Sequence, residues 1–280
     1  MERLRELLDA VPAGRRIAWI DYRAYATQIS GRSLDPAGGV PDFIMGTRDA
    51  QQLLQSDVLT VPLVDLYRSL LGSAAEPDGA RAVKRLRALL AAEEPRSVAI
   101  AILDGLQRLY PLGPPLVVIS PSPARWLTLL GAAGVDDDLA DAAAVYLADA
   151  LRALAQTSVS AIVLDEGPEP PLVDPVSIFQ PVWNVAQHYG WAMGIASANG
   201  EVSDLLRQPV DFVLRPDSTL ADIAPFWRDG LLVGGGLDAG FWNGTEPLPA
   251  DLPAAAFGYG VIPEDAVPEL VLARIREWGR

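Results

Sequence analysis

The chain has 280 residues, of which 50% are hydrophobic, so it can bury a large core and remain globular. Its 36 acidic and 22 basic residues give a formal charge of −14, and this field repels a polyphosphate backbone, so nucleic acid is not an expected partner. The absence of cysteine excludes disulfides, thiolate nucleophiles and thiolate metal sites.

The amino-terminal residues are charged and amphipathic, without the long apolar region of a secretion signal. No later segment reaches the roughly 18 uninterrupted apolar residues that a membrane-spanning helix needs. No Ser/Gly-rich linker or low-complexity tract divides the chain. We therefore expect a cytoplasmic protein without a membrane partner, in a single domain that spans residues 1–280.

Eight short β-branched runs alternate along the chain with segments of helical spacing. The runs are residues 16–21, 59–65, 115–120, 161–164, 192–197, 211–214, 231–234 and 256–261. Residues 81–94 and 138–156 predict amphipathic helices, while residues 98–103 fit either a strand or a helix. Near-continuous apolar strands alternating with helices predict an α/β fold, a (β/α)8 TIM barrel.

In a barrel of this kind the catalytic groups come from the carboxyl ends of the strands and from the loops that follow them. The polar residues at those ends are therefore the candidate site. They are Asp21, Tyr22, Arg23, Asp65, Ser120, Ser122, Asp165, Glu166, Ser197, Asn199, Arg215, Asp217, Asp238 and Tyr259.

Adjacent carboxylates, Asp165 and Glu166, end the fourth predicted strand. Neighbouring residues of a strand face opposite ways, so we expect only one of the two to point into the barrel. As functional groups they are candidate acids or bases, since two close carboxylates in a barrel mouth are costly without a cation. The structural alternative is that one of them caps the next helix or pairs with an arginine such as Arg215.

Three stretches resemble one superfamily of barrels. The segment LVGGGLDAGFWNGTEP at residues 232–247, followed by residues 258–278, is similar to the last two strand turns and final helix of uroporphyrinogen decarboxylase. Residues 113–131 are similar to the third strand turn of that superfamily. The run LDEG at residues 164–167 resembles the Asp-Glu-Pro turn of cobalamin-independent methionine synthase, which shares the barrel. The resemblance covers residues 112–280 and identifies the chain as a divergent member.

The resemblance implies a choice between two chemistries. In the methionine synthase branch the fifth strand ends in a His-x-Cys zinc pair and a second cysteine follows the eighth strand. Here residues 195–200 read IASANG and residues 258–263 read GYGVIP, which supply no such ligands. The decarboxylase branch uses no metal or cofactor and an arginine-rich first loop, where this chain has Arg23 and Arg32. The resemblance also implies that Asp165 or Glu166 clamps a substrate amine.

Other residues add smaller signals. Arg215 is a candidate binder of a substrate carboxylate, or it forms a salt bridge across the mouth. Ser197 and Asn199 occupy the vacated metal turn and are candidates for hydrogen bonds to a ligand. The glycine run before Asp238 meets neither nucleotide-binding motif, so close backbone packing is the favoured reason for it. Trp126 and Trp242 follow mouth-facing strands and are candidate pocket residues, with core packing as the alternative.

The side chains left for acid–base chemistry are those of Asp, Glu, Tyr and Lys. The only histidine, His188, lies in a predicted helix outside the barrel, so a Ser-His-Asp triad is not expected. The only lysine, Lys84, also lies in a predicted helix.

These observations lead to one preferred hypothesis and two alternatives. The preferred function is a metal-free, cofactor-free enzyme that acts by decarboxylase- or lyase-type acid–base chemistry on a small carboxylated or amine-bearing molecule. The alternatives are a non-catalytic barrel that binds a ligand or a protein partner, as a homodimer or otherwise, and a methyltransferase-related protein. The predicted catalytic residues are Asp165, Glu166 and Tyr259. The predicted substrate-binding residues are Asp21, Arg23, Ser120, Trp126, Ser197, Asn199, Arg215, Asp238 and Trp242.

Overall fold

Eight parallel strands form one sheet in the computed structural model, which describes residues 3–72, 76–167, 175–249 and 251–279. The strands are β1 (Arg16–Asp21), β2 (Leu59–Pro62), β3 (Leu116–Pro121), β4 (Val159–Gly167), β5 (Ala192–Ser197), β6 (Phe212–Arg215), β7 (Val233–Gly236) and β8 (Ala256–Val261). Their order in the sheet is β1-β8-β7-β6-β5-β4-β3-β2. This is the strand order of a (β/α)8 barrel, so the predicted fold is confirmed.

The gap between β1 and β2 is bridged by Ser56 and Asp57, which lie three and two residues before β2. Asp57 donates its backbone N–H to the Ala18 carbonyl at 2.8 Å, and its Oδ2 accepts from the Ala18 N–H at 2.8 Å. Ser56 Oγ accepts from the Ile20 N–H at 3.0 Å. These bonds satisfy backbone groups of β1 that would otherwise form the edge of an open sheet.

Helices surround the sheet. They are α1 (Arg3–Asp9), α2 (Ala26–Ser30), α3 (Val40–Leu54), α4 (Leu63–Leu71), α5 (Gly79–Leu90), α6 (Glu93–Leu109), α7 (Pro123–Leu129), α8 (Asp137–Arg152), α9 (Pro175–His188), α10 (Val202–Leu205), α11 (Leu220–Arg228), α12 (Ala239–Trp242) and α13 (Pro268–Trp278), with a 3₁₀ turn at Pro36–Gly38. Their apolar faces pack on the outer residues of the strands, as amphipathic helices do. Within the described residues, no helix has the length and apolar character needed to cross a membrane.

Alternate strand residues fill the interior of the barrel. They form a separate apolar cluster whose strand members include Ile17, Trp19, Val117, Ile119, Ala161, Val163, Phe212, Leu214, Phe257 and Tyr259. Trp19 lies at the centre, with its ring 5.8 Å from Phe212 and 5.6 Å from Tyr259 between centroids. The interior is therefore a packed core rather than a pore, as is usual for this fold.

Helix α1 closes the amino-terminal end of the barrel. Its residues Leu4, Leu7 and Leu8 belong to the interior cluster. Arg5 fixes the helix there, because it donates to the Trp191 carbonyl at 3.1 Å and pairs with Asp211 at 3.1 Å, just before β5 and β6. Any small-molecule site inside the sheet is thus left to the carboxyl end.

Some element boundaries differ from those predicted. The second strand was expected to reach residue 65, but β2 ends at Pro62 and α4 begins at Leu63, so that part of the prediction is wrong. Residues 98–103, which fitted either element, lie in α6. Strand β4 extends through Gly167, which places Asp165 and Glu166 within the strand rather than after it.

Candidate functional site

The two carboxylates of β4 face opposite sides of the sheet. Ala161 and Val163 point into the barrel, so alternation places Asp165 on the inner side at the mouth. Its carboxylate forms an ion pair with Arg125, and its Oδ1 accepts the backbone N–H of Gly167 at 2.9 Å. Asp165 therefore pairs with an arginine, which was one of the two structural alternatives, but the partner is Arg125 and not Arg215.

Glu166 lies on the outer side of β4 and is 5% exposed. The pairing of β4 with β5 shifts register between Asp165 and Gly167, which is the local kink of a β-bulge. Burial raises the pKa of Glu166, a hydrogen bond with the Ser197 side chain opposes this shift, and the charge of Asp165 adds to it. Within the described residues its Oε2 is buried and lacks a hydrogen-bond partner.

A second charged cluster joins the end of β1 to the start of α4. Arg23 Nη2 lies 2.6 Å from Asp21 Oδ2, and its Nη1 lies 2.9 Å from Asp65 Oδ2. Arg68 also pairs with Asp65. Burial works to raise the pKa of Asp21, but the charge and hydrogen bonds of Arg23 outweigh it and lower that pKa. Asp21 is therefore a fixed anion and Arg23 is fully engaged by carboxylates of the protein itself.

Tyr259 forms the floor of the mouth. It lies on β8, its side chain is directed inward, and the residue is 4% exposed. Its ring meets Trp19 edge-on, so the phenol is held by the packed interior.

Charged groups from several strand ends influence the phenol of Tyr259. Burial is the largest factor that raises the pKa of Tyr259; the charge of Asp21 raises it further, Arg23 lowers it, and Asp165 and Asp217 raise it again. These groups come from the ends of β1, β4 and β6, on different sides of the barrel. Tyr259 therefore keeps its proton at neutral pH.

A cleft of about 380 Å³ opens beside the ends of β5 and β6. It is lined by Ala198, Gly200, Glu201, Val202, Arg215, Asp217, Ser218, Asp222, Ile223 and Phe226. Arg215 Nη1 donates to the carbonyls of Asn199 at 2.8 Å and Gly200 at 3.2 Å, which fixes its guanidinium on the wall of the cleft. Ser197 Oγ donates to the same Asn199 carbonyl at 2.8 Å, so Ser197 and Asn199 shape this loop.

Four of the predicted binding residues have structural contacts. Ser120 Oγ accepts from the Trp126 Nε1–H at 3.1 Å, and Trp126 is 0% exposed. Trp242 is 1% exposed and packs against Phe241. Asp238 caps α12 by accepting the Phe241 N–H at 2.9 Å. Ser120, Trp126 and Trp242 are thus buried, and Asp238 orders the turn after β7.

The glycine run of β7 is explained by close packing. A Cβ added to Gly235 would lie 2.4 Å from Ser218 Oγ and 3.0 Å from the Arg215 carbonyl. Such distances leave no room for a side chain, so the run brings β7 close to the turn that follows β6.

The remaining candidates lie away from the mouth. His188 is exposed at the last residue of α9, on the side of the barrel where β5 begins. Lys84 is exposed on α5. Neither residue lies at the carboxyl ends of the strands.

The residues present do not fit the zinc ion that the methionine synthase resemblance implies. At the two ligand turns the chain offers hydroxyl, amide and backbone groups, and the Ser197 hydroxyl is already bonded to a carbonyl. Across the part of the chain that the structure describes, no three His, Cys, Asp or Glu side chains come together as a metal-binding group.

Sequence reasoning did not single out Arg125, the partner of Asp165. Arg125 lies in the first turn of α7, whose N-cap is Ser122. The available signal was its position, since the first turn of the helix after a strand lies beside the barrel mouth.

No protein-family model and no curated protein matches the chain. Among solved structures, the carboxyl transferase domain from Rhizobium etli pyruvate carboxylase, with pyruvate and biocytin, is similar over 99% of this chain and 49% of that chain. The identity is 10% and the TM-score is 0.49, and the chain spans about half the length of that structure. The barrel therefore rests on its own strand order, and membership of the uroporphyrinogen decarboxylase and methionine synthase superfamily stays a prediction.

Proposed function

We propose that the carboxyl end of this barrel binds a small carboxylated molecule and carries out acid–base chemistry on it, of the decarboxylase or lyase type. The observation that carries the proposal is Arg215. Its guanidinium lines the cleft, is fixed through one nitrogen by two backbone carbonyls, and forms no salt bridge with a described residue. A planar guanidinium with donors to spare is the group best suited to bind a carboxylate.

The other mouth arginines are less suited to that role. Arg23 is held by Asp21 and Asp65, and Arg125 is held by Asp165. A ligand carboxylate would have to displace an existing ion pair at either of them. Arg215 is therefore the carboxylate binder in this proposal, and Arg23 positions the carboxylates of Asp21 and Asp65.

Asp165 is the acid–base group of the proposal. Its side chain is 33% exposed, it lies on the inner side of β4, and Arg125 orients it. Tyr259 lies on the inner side of β8 and supplies a neutral hydroxyl there. Glu166, on the outer face of β4, supports the strand end instead of touching the ligand. Of the two chemistries that the resemblance implies, acid–base decarboxylation suits this set, because thiol methyl transfer needs zinc ligands that the described residues do not provide.

Isothermal titration with acetate, pentanoate, succinate and glutarate tests the proposed binding. We expect at least one of these acids to bind, and Arg215→Gln to weaken that binding by about 10- to 100-fold, the usual effect of losing charge-assisted hydrogen bonds. The control is Arg207→Gln, an arginine of the same region that is 78% exposed and paired with Asp204. Equal affinities in wild type and Arg215→Gln would contradict the proposal.

A second candidate is a barrel that binds the same molecule without chemistry. It is favoured by the engagement of Arg23 and Arg125 with the protein's own carboxylates, which leaves few charged groups free at the mouth. The two candidates differ in whether a proton moves to or from the ligand.

Exchange in D₂O separates the two candidates. An acid–base catalyst that uses Asp165 introduces solvent deuterium into the bound acid, or releases a product, and Asp165→Asn slows this by about 10²- to 10⁴-fold. NMR of the ligand after incubation measures the exchange. A bound acid that gains no deuterium and releases no product favours the binding protein.

A further inference from the structure

We propose that Glu166 is a positioning residue for Arg215: its protonated carboxyl group donates a hydrogen bond to Ser197, and Ser197 in turn holds the loop carbonyl on which the Arg215 guanidinium rests. The inference deepens the proposed function and rests on it, because Arg215 is the seat of the ligand carboxylate there. It makes the affinity of the cleft for a carboxylated ligand depend on whether Glu166 carries a proton.

The three residues lie at the ends of three neighbouring strands. Gly167 of β4 lies opposite Ser197 of β5, and the register shift just before this pair brings the side chain of Glu166 beside that of Ser197. Strand alternation places both side chains on the outer side of the sheet. Glu166 is 5% exposed and Ser197 is 1% exposed, so water does not compete for their hydrogen bond. Strand β5 pairs in turn with β6 up to the residue before Arg215.

The numbers of donors and acceptors fix the direction of each hydrogen bond. Ser197 has one hydroxyl proton, and it donates this proton to the Asn199 carbonyl at 2.8 Å, because a carbonyl oxygen only accepts. Ser197 Oγ therefore accepts in its hydrogen bond with the Glu166 side chain. An ionised carboxylate has no proton to donate. Glu166 is therefore protonated in this arrangement.

The second oxygen of Glu166 supports the same protonation state. Oε2 is buried and has no hydrogen-bond partner within the described residues. A buried oxygen without a partner costs more in a carboxylate than in a neutral carboxyl group, because in the carboxylate it carries part of a charge. Burial raises the pKa of Glu166, and the negative charge of Asp165 raises it further.

No nearby cation holds Glu166 in its charged form. Among the described groups, Asp165 of the same strand acts on it, and Arg125 of α7 is engaged by Asp165. The ends of β3 and β5 carry serines, and α9, which follows β4, has no charged side chain before His188. Helix α1 lies at the opposite end of the barrel. Within the described residues, no ion pair therefore opposes protonation of Glu166.

The Asn199 carbonyl links this carboxyl group to the cleft. It accepts from Ser197 Oγ and from Arg215 Nη1, both at 2.8 Å, and the same Nη1 donates to the Gly200 carbonyl at 3.2 Å. Loss of the Glu166 proton draws the Ser197 hydroxyl to the carboxylate, since an anion is the stronger acceptor. The Asn199 carbonyl then loses the bond from Ser197, and the Arg215 guanidinium is less firmly fixed.

The test uses isothermal titration at pH 6 and pH 9 with whichever of acetate, pentanoate, succinate and glutarate binds the wild-type protein. We expect the wild-type affinity to fall about two- to tenfold as pH rises through the folded pKa of Glu166, the equivalent of one ordinary hydrogen bond. Glu166→Gln, whose amide also donates to Ser197, should keep the wild-type pH 6 affinity at both pH values. Glu166→Met, which fills similar space without a donor, should bind two- to tenfold more weakly than wild type at pH 6.

The serine of the chain has a matched control. Ser197→Ala should weaken binding at pH 6 as Glu166→Met does, whereas Ser203→Ala, at an exposed serine of the nearby α10, should bind as wild type does. Wild-type affinity in Glu166→Met or in Ser197→Ala overturns the positioning role and leaves the carboxylate site standing. A Glu166→Gln affinity that falls with pH as steeply as the wild type also overturns it. Near-ultraviolet circular dichroism checks that each variant is folded.

Nitrogen-15 NMR of the arginine side chains tests the positioning without a ligand. The Nη resonances of Arg215 are assigned by their absence in Arg215→Gln. At pH 6 we expect distinct Nη resonances, as in a guanidinium held by hydrogen bonds, in wild type and Glu166→Gln, and averaged ones in Glu166→Met and Ser197→Ala. The same resonances in all four proteins overturn the inference. Binding of none of the acids overturns the proposed function instead, and the NMR result then decides on the positioning alone.

Discussion

Asp165 and Glu166 are neighbours in sequence but meet different surroundings, because consecutive strand residues face opposite sides of a sheet. Asp165 lies at the mouth with Arg125 as its counter-ion and 33% of its side chain exposed. Glu166 is buried, with one carboxylate oxygen that has no partner within the described residues. The charged form of Glu166 is therefore a cost to the folded state, and this cost depends on pH.

The pH dependence of stability tests this difference. Because burial raises the folded pKa of Glu166, the folded protein binds its proton more tightly than the unfolded chain does, and stability falls as pH rises from 4.5, the ordinary value, through the folded pKa. Glu166→Gln has no such titration. We subtract the free energy of unfolding of the wild type from that of the variant. We expect this difference to be larger, in favour of the variant's stability, at pH 8 than at pH 5, by on the order of 1 kcal/mol.

Urea unfolding at the two pH values measures this effect. Glu264→Gln is the control, since Glu264 is exposed on the loop after β8. The control should give the same difference from wild type at both pH values. If the stability of Glu166→Gln relative to wild type is the same at both pH values, or is greater at pH 5, Glu166 does not have a raised pKa in the folded protein.

The placement of side chains at the site was predictable where it follows from strand alternation. Asp21, Asp165 and Tyr259 lie on inward positions at strand ends, and the sequence places them there by counting along each strand. The partner of Asp165 was not predictable in this way. Arg125 belongs to α7, the helix that follows the neighbouring strand β3, and its pairing with Asp165 depends on how that helix packs on the sheet. Ion pairs between units depend on tertiary distances that no local spacing encodes.

The secondary-structure elements were also predictable only in part. The strands were found from short apolar runs, but such a run does not distinguish a strand from a buried helix. Residues 63–71 carry buried side chains at Leu63, Leu66 and Tyr67, which is the spacing of a helix, and α4 forms there directly after Pro62. The prediction extended the strand because the first residues of this run are apolar and β-branched.

The bridge between β1 and β2 is the part of the barrel that the strand pattern did not predict. Ser56 and Asp57 bond to the backbone of β1 at one end of this seam, and Arg23 bridges Asp21 to Asp65 at the other. Side chains therefore complete the closure that main-chain ladders make elsewhere in the sheet. Polar residues in the loop before a strand look like ordinary turn residues in the sequence, so this role was not visible.

At the scale of the whole molecule, the two ends of the barrel have different compositions. Apolar side chains of α1 fill the amino-terminal end, and charged groups collect at the carboxyl end. Barrels of this fold separate stability from function in the same sense. The packed aromatic layer around Trp19 lies between the two ends, so a change at one end need not reach the other.

Substitution at the closed end tests this separation. Leu8 is 2% exposed within the interior cluster, so Leu8→Ala should lower the free energy of unfolding by about 2–5 kcal/mol, the usual cost of a cavity at a buried leucine. The affinity for whichever of the probe acids binds should stay within about twofold of wild type, since less than 0.5 kcal/mol is then transmitted to the mouth. Urea unfolding and isothermal titration measure the two quantities, and Leu112→Ala, at a leucine that is 92% exposed, should change neither.

Arg215→Gln should give the reverse pattern, with weaker binding and little change in stability. If Leu8→Ala weakened binding as strongly as Arg215→Gln does, the aromatic layer would transmit strain from end to end, and the barrel would act as one unit in both stability and function.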